Sequence, residues 1–217
     1  MSNQINLKEI ERKAFRSTFQ DGLRDMYYGL IVICMSVFIY RPSGGYNIWN
    51  ILLSLFAALL ASYLLRAGKK YITLPRMGQV RFGAIRKRKK KTMAITLAVV
   101  IIFQVGLLAL TVLGWANPVV GEIVSNYLKA RNIMDLMVAA TGSFIVGLSM
   151  MLIAYFSDFP RGYYIAILMS LAVFLMIYLN QPVYPIIIGG LIFTPGLVLF
   201  INFLKKYPFP HGEKINE

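Results

Sequence analysis

The sequence predicts an all-α integral membrane protein built as a bundle of six transmembrane helices. Three observations predict this class. Of the 217 residues, 58% are hydrophobic and only 15% are charged, against about 25% charged residues in soluble domains. Six apolar segments have lengths suited to crossing a bilayer. The positive residues, which give a net charge of +14, are confined to particular loops, so they indicate membrane topology rather than nucleic-acid binding.

The first 25 residues are predicted to form an amphipathic helix on the membrane surface. Asn6 and Glu9 have the spacing of a capping box, and Leu7 and Ile10 lie on one face. Charged residues dominate this segment and no small-residue cleavage site follows the next apolar run. A helix lying in the interface therefore fits better than a signal peptide.

The six apolar segments are predicted to be transmembrane helices, since about 20 helical residues cross a hydrocarbon core of about 30 Å. The first segment is the shortest. The segments are 26–40, 48–65, 92–115, 133–156, 162–179 and 184–204.

The distribution of Lys and Arg predicts the topology. Of the 23 such residues, 20 fall in alternate polar segments that would share one face of the membrane. By the positive-inside rule, both termini, the loop 66–91 and the tail 205–217 are predicted to be cytoplasmic. The expected location is the cell (inner or plasma) membrane, with several passes.

The loop 66–91 carries eleven of the Lys and Arg residues. Its first part alternates Ile72 and Leu74 with Thr73, which predicts a small extended hairpin. Its last part is a basic block directly before the third helix, predicted to bind anionic lipid or a protein partner. Because the block lacks interleaved aromatic residues, no nucleic-acid partner is expected. The predicted binding residues are Arg81, Arg86, Lys87, Arg88, Lys89, Lys90 and Lys91.

Two stretches indicate an internal repeat. The sequence FQDGLRDMYY at 19–28 resembles FSDFPRGYY at 156–164, and Lys-Lys-Tyr follows both the second and the sixth apolar segment. Helices one and two are therefore predicted to be a diverged, parallel copy of helices five and six. The alternative is chance together with shared topology, because aromatic residues and lysines gather at helix ends in any membrane protein.

Each copy of this stretch contains an aspartate and an arginine three residues apart, Asp21 with Arg24 and Asp158 with Arg161. That spacing allows the two side chains to meet on a helix. Each pair is predicted either to fix a helix start at the headgroup boundary or to line a cytoplasmic mouth that contacts a solute or partner.

The two short patterns around the first hairpin also carry a resemblance. F-x-D-G-L precedes the first helix, and Y-x-x-x-P-R-x-G-x-V-x-F follows the second. Both are similar to patterns in small uncharacterised prokaryotic polytopic membrane proteins. The likeness covers a small part of the chain and implies no activity.

The apolar segments contain few polar groups. No Lys, Arg or His lies mid-span, and Asp135 stands at the outer start of the fourth segment. Because ion-coupled carriers usually keep a buried ionisable residue, that class is disfavoured. No catalytic arrangement of side chains is found, so an enzyme is not expected. A single Cys34 and a single His211 predict neither a disulfide nor a metal site, and no cofactor is expected.

Three features inside the segments are open to two interpretations each. Gln104 is predicted to hydrogen-bond between helices, or else to line a pore. Ala139, Ser143 and Gly147 repeat every four residues, which predicts a close-packed seam inside the bundle or between subunits of a homo-oligomer. Thr194, Pro195 and Gly196 interrupt the sixth segment and predict a packing kink, or else a gate or solute site.

Asn117-Pro118 resembles a helix start and predicts an outer amphipathic segment over 117–132.

Two functions of different class follow from these observations. The first, which is favoured, is a non-catalytic accessory or scaffold protein whose basic cytoplasmic face binds anionic lipid or a partner subunit. The alternative is a small oligomeric pore or facilitator for a small solute.

Overall fold

A computed structural model describes residues 19–39, 48–77, 84–116 and 131–208. Helices account for most of these residues, and none of the residues in the described ranges forms a strand. Each long helix contains most of one predicted apolar segment, so the all-α class is confirmed. The long helices are α1 Leu23–Ile39, α2 Ile48–Gly68, α3 Ala84–Ala116, α4 Arg131–Phe156, α5 Arg161–Leu179 and α6 Val183–Lys206.

Within the described residues, four helices are long and apolar enough to cross a membrane. They are α2 with its continuation to Met77, the part of α4 from Leu136, α5, and α6. This is the architecture of an α-helical membrane protein. α1 has 17 residues, fewer than the about 20 that cross an average bilayer. The count of six spans stays a prediction.

The helices form two compact units. Unit 1 contains α1, α2 and α6, and unit 2 contains α3, α4 and α5. In unit 1, α1 packs against both α2 and α6; in unit 2, α4 packs against both α3 and α5. The helices of the predicted second repeat copy, α5 and α6, thus belong to different units. The internal repeat stays a prediction.

In unit 1, α1 and α6 approach each other backbone to backbone through glycines. A Cβ built on Gly29 would lie 2.8 Å from the Gly189 carbonyl oxygen, and one built on Gly196 would lie 2.7 Å from the Met26 nitrogen. A Cβ on Gly22 would meet the Gly196 carbonyl oxygen. Gly189 and Gly196 of α6 are seven residues apart, about two turns, and so share one face; Gly29 lies in α1 and Gly22 directly precedes it with a φ of 69°. The pairing order makes the two helices antiparallel.

α6 continues as one helix through Pro195. Thr194 and Pro195 are exposed, whereas Gly196 is buried against α1. The hydroxyl of Thr194 donates to the carbonyl oxygen of Gly190 at 2.8 Å, within its own helix. These contacts support the packing interpretation of the Thr-Pro-Gly sequence.

In unit 2, the predicted small-residue seam is internal. Ala139, Ser143 and Gly147 are buried, and the Ser170 hydroxyl of α5 donates to the Ser143 carbonyl at 2.9 Å. Gln104 contacts the next helix: its Nε2 donates to the Ser149 hydroxyl at 3.4 Å, joining α3 to α4.

Several predicted elements lie outside the described residues. They are residues 1–18 of the surface helix, the loop positions 78–83 with Arg81, the outer segment from 117 to 130, the tail beyond 208, and the side chains of Arg86, Lys87 and Asp135.

Candidate functional site

The basic loop begins as a helix, so the first arm of the predicted hairpin is wrong. α2 continues through a π-helical segment, Lys69–Thr73, and a further helical turn, Leu74–Met77. Within this helical continuation, Thr73 is buried and Leu74 is 37% exposed.

Thr73 is buried because it binds Asp21, a carboxylate with no exposed surface. Oδ2 of Asp21 accepts a hydrogen bond from the Thr73 hydroxyl at 2.9 Å and lies 3.3 Å from Nζ of Lys69. Oδ1 accepts from the Leu23 backbone N–H at 3.3 Å. Lys69 and Thr73 are four residues apart and so share a helix face. This cluster joins the start of α1 to the end of α2.

Arg76 joins α6 to the same end of unit 1. Its Nη1 donates to the carbonyl oxygens of Leu204 at 3.2 Å and Tyr207 at 2.9 Å. The last carbonyls of a helix lack partners within the helix and carry the negative end of its dipole, so a guanidinium there is stabilising. The arginine of the Y-x-x-x-P-R pattern is therefore a cap for another helix.

Unit 2 has a second aspartate–lysine contact. Nζ of Lys89 lies 2.9 Å from Oδ2 of Asp158, and the two side chains are 34% and 12% exposed. Asp158 follows α4 with a φ of 47°. Hydrogen bonds from Phe159 N to Ala154 O, 2.9 Å, and from Asp158 N to Tyr155 O, 3.2 Å, make this turn a Schellman motif, whose left-handed position is usually glycine.

The aspartates of the two similar stretches thus anchor the basic segment from both sides in sequence. Asp21 holds Lys69 within unit 1, and Asp158 holds Lys89 within unit 2. The predicted pairing of each aspartate with the arginine three residues later stays a prediction.

The two arginines of these stretches are both placed over phenylalanine rings. Arg24 lies 4.4 Å from the centre of the Phe19 ring, and Arg161 lies 5.6 Å from that of Phe159. A guanidinium over an aromatic face is attracted by the ring electrons. Both stretches therefore combine an aspartate–lysine salt bridge with an arginine–phenylalanine contact.

The structure divides the predicted basic block according to exposure. Arg88, Lys90 and Lys91 are exposed, whereas Lys89 forms a salt bridge with Asp158. Lys89 is therefore better described as part of an anchor than as a lipid-binding residue. The three exposed cations stand at the start of α3, before its apolar part.

Sequence reasoning missed Asp25 and the glycine pairs. Asp25 lies in the first turn of α1 and has no exposed surface. A Cβ on Gly196 would lie 2.9 Å from Cβ of Asp25, so this acid is covered by α6. The sequence signal was the same seven-residue spacing between Gly22 and Gly29 as between Gly189 and Gly196.

No protein-family model, curated protein or solved structure matches this chain.

Two substitutions at Asp158 test the Asp158–Lys89 salt bridge, because they separate the contribution of the carboxylate from the cost of the left-handed backbone. Asp158→Asn keeps a residue that tolerates positive φ but removes the charge, so we expect the free energy of unfolding to fall by about 0.5–1 kcal/mol. Asp158→Gly also removes the charge but relieves a left-handed backbone cost of about 1 kcal/mol, so we expect a change near zero. Thermal unfolding in mild detergent measures both.

Lys89→Gln is the matched control and is expected to equal Asp158→Asn. An asparagine variant as stable as the wild type would show that the carboxylate does not stabilise this turn, and a glycine variant less stable than the asparagine variant would show that the left-handed backbone carries no cost.

Proposed function

We propose that this chain is a non-catalytic accessory or scaffold protein of the membrane, whose basic face binds anionic lipid headgroups or a partner subunit. The observation that carries the proposal is the exposed cation cluster Arg88, Lys90 and Lys91 at the start of α3. The Lys89–Asp158 salt bridge holds this turn of α3 against the α4–α5 turn. The neighbouring cations lie on other sides of this helix turn and are exposed.

The apolar part of α3 supports a position at the membrane boundary. Ile95, Val99 and Ile102 are 54%, 60% and 70% exposed and begin one turn after the cations. A cationic turn followed directly by an exposed apolar surface fits the boundary between headgroups and hydrocarbon, where each Lys or Arg contributes about 1 kcal/mol toward anionic lipid.

The proposal includes six spans with both termini and the basic loop in the cytoplasm. Its support is the placement of 20 of the 23 Lys and Arg residues in alternate polar segments. In this topology the cations of α3 face the cytoplasmic leaflet, which carries the anionic lipids.

The test is co-purification from native membranes in mild detergent. We expect the variant Arg88→Gln/Lys90→Gln/Lys91→Gln to lose a stoichiometric protein partner, or bound anionic lipid, that the wild type retains. The charge-conserving variant Arg88→Lys/Lys90→Arg/Lys91→Arg is expected to retain it. Unchanged protein and lipid content in the glutamine variant would contradict the proposal.

The alternative, a small pore, gains no support from the polar residues first assigned to it. Gln104 is hydrogen-bonded to Ser149 within unit 2. Thr194 is bonded to a carbonyl of its own helix. We therefore retain the scaffold proposal alone.

A further inference from the structure

The same three residues, Lys-Lys-Tyr, occur twice in unit 1, at the start of the π-helical continuation of α2 and at the end of α6. In the first, Nζ of Lys70 lies 5.2 Å from the centre of the Tyr71 ring. In the second, Nζ of Lys206 lies 5.6 Å from that of Tyr207. Lys70, Lys205 and Lys206 are exposed. We call these five residues the K-K-Y surface.

Arg76 brings the two parts of this surface together. It donates to the carbonyls of Leu204 and Tyr207, which bracket both lysines of the second part. Arg76 follows Lys70 by six residues of continuous helix, about 9 Å along the axis. The two Lys-Lys-Tyr sequences therefore lie at the same end of unit 1.

The exposed charge at this end is positive. Among the described residues of unit 1, the acids are Asp21 and Asp25, and both are fully buried. Asp21 is paired with Lys69, which leaves Lys70, Lys205 and Lys206 directed at solvent or headgroups. An anion approaching this surface meets cations and no exposed acid of the described residues.

An exposed apolar surface leads up to these cations on both helices. Leu64 of α2 is 52% exposed and lies about two turns before Tyr71, and Ile201 of α6 is 43% exposed and lies about one turn before Lys205. Both helices are long and apolar enough to cross a membrane. A ligand with an anionic head and acyl chains matches the cations and the apolar surface together, whereas a soluble anion matches only the cations.

We propose that the K-K-Y surface is a binding site for the headgroups of anionic phospholipids. Tyr71 and Tyr207 hold the lysine ammonium groups by cation–π contact and suit the polar–apolar boundary. The proposal shares the membrane location of the proposed function but uses residues of unit 1, separate from the basic block in unit 2.

The test is lipid binding to the purified full chain, measured by native mass spectrometry in an equimolar mixture of phosphatidylglycerol and phosphatidylcholine with identical acyl chains. We expect the wild type to retain phosphatidylglycerol preferentially. In Lys70→Gln/Lys205→Gln/Lys206→Gln the preference should fall by at least tenfold, since each cation near an anionic surface contributes about fivefold. Lys70→Arg/Lys205→Arg/Lys206→Arg should keep it.

The variant Arg88→Gln/Lys90→Gln/Lys91→Gln removes the same charge from the residues of the proposed function, so it is measured both alone and combined with the unit 1 variant. A separate site on the K-K-Y surface predicts that the unit 1 substitutions lower the preference whether or not the unit 2 cations are present. No loss in the unit 1 variant, or no further loss when its substitutions are added to the unit 2 variant, would overturn the site. Displacement of the lipid by an equal concentration of glycerol 3-phosphate would show a phosphate site instead, and would also overturn it.

If the glutamine variant fails to fold, the three single substitutions replace it, and at least one must lower the preference. Because the proposed function is tested by the unit 2 variant and this site by the unit 1 variant, the failure of one does not imply the failure of the other.

Discussion

Gly189→Ala is expected to lower the free energy of unfolding by about 2–3 kcal/mol, the upper range for adding volume to a packed core. Its Cβ would lie 2.8 Å from the Gly29 carbonyl oxygen and 3.0 Å from the Ile33 nitrogen. These contacts are with the backbone of α1, so no side-chain rotation relieves them. Thermal or denaturant unfolding in detergent measures the change.

The neighbouring Gly190→Ala is the control. A Cβ at Gly190 has no atom within 4 Å, and alanine favours a helix over glycine by up to about 1 kcal/mol. We therefore expect this variant to be as stable as the wild type or more so. Equal losses at the two positions would contradict the proposed backbone contact between α1 and α6.

Asp21→Ala is expected to cost about 3 kcal/mol, because it leaves a buried hydroxyl and a partly buried ammonium without their acceptor. Asp21→Asn should cost less, about 1–2 kcal/mol, since its amide oxygen can still accept from the Leu23 N–H and its NH₂ group, in the place of Oδ2, can donate to the Thr73 hydroxyl. The side chain of Lys69 is 32% exposed, so solvent replaces part of the lost salt bridge. Denaturant unfolding of the single and double variants measures these values.

A double-mutant cycle with Lys69→Gln separates the charge interaction from the rest. We expect the double variant Asp21→Asn/Lys69→Gln to lose less than the sum of the single losses. Strict additivity would mean that the two charges do not stabilise each other and that Asp21 acts only through its hydrogen bonds with Thr73 and Leu23.

The helices were predictable because a bilayer demands long apolar runs, which are visible in any sequence. The seam of Ala139, Ser143 and Gly147 and the hydrogen bond of Gln104 were predictable for a similar reason: small or polar residues inside such a run have few roles other than helix contacts. The grouping of helices was not predictable, since apolar lipid-facing and helix-facing surfaces have similar compositions.

The details of the basic segment also could not be predicted. The helical conformation of Lys69 to Met77 places Thr73 against Asp21, a residue about 50 positions away. Alternation of apolar and polar residues over a few positions carries no information about that distant contact. The role of Arg76 as a cap likewise depends on the carbonyls at the end of α6.

Unit 1 is discontinuous in the chain, and this has a consequence for biosynthesis. α1 and α2 emerge first, all of unit 2 follows, and only then does α6 arrive to cover the glycine face of α1. About 140 residues lie between α1 and α6, so at about 5–20 residues per second α1 waits roughly 7–28 s for its partner. Throughout that interval Asp25 and the bare backbone at Gly29 lack the cover that α6 provides. α1 and α2 are therefore synthesised without α6, and unit 1 stays incomplete until all of unit 2 has been made.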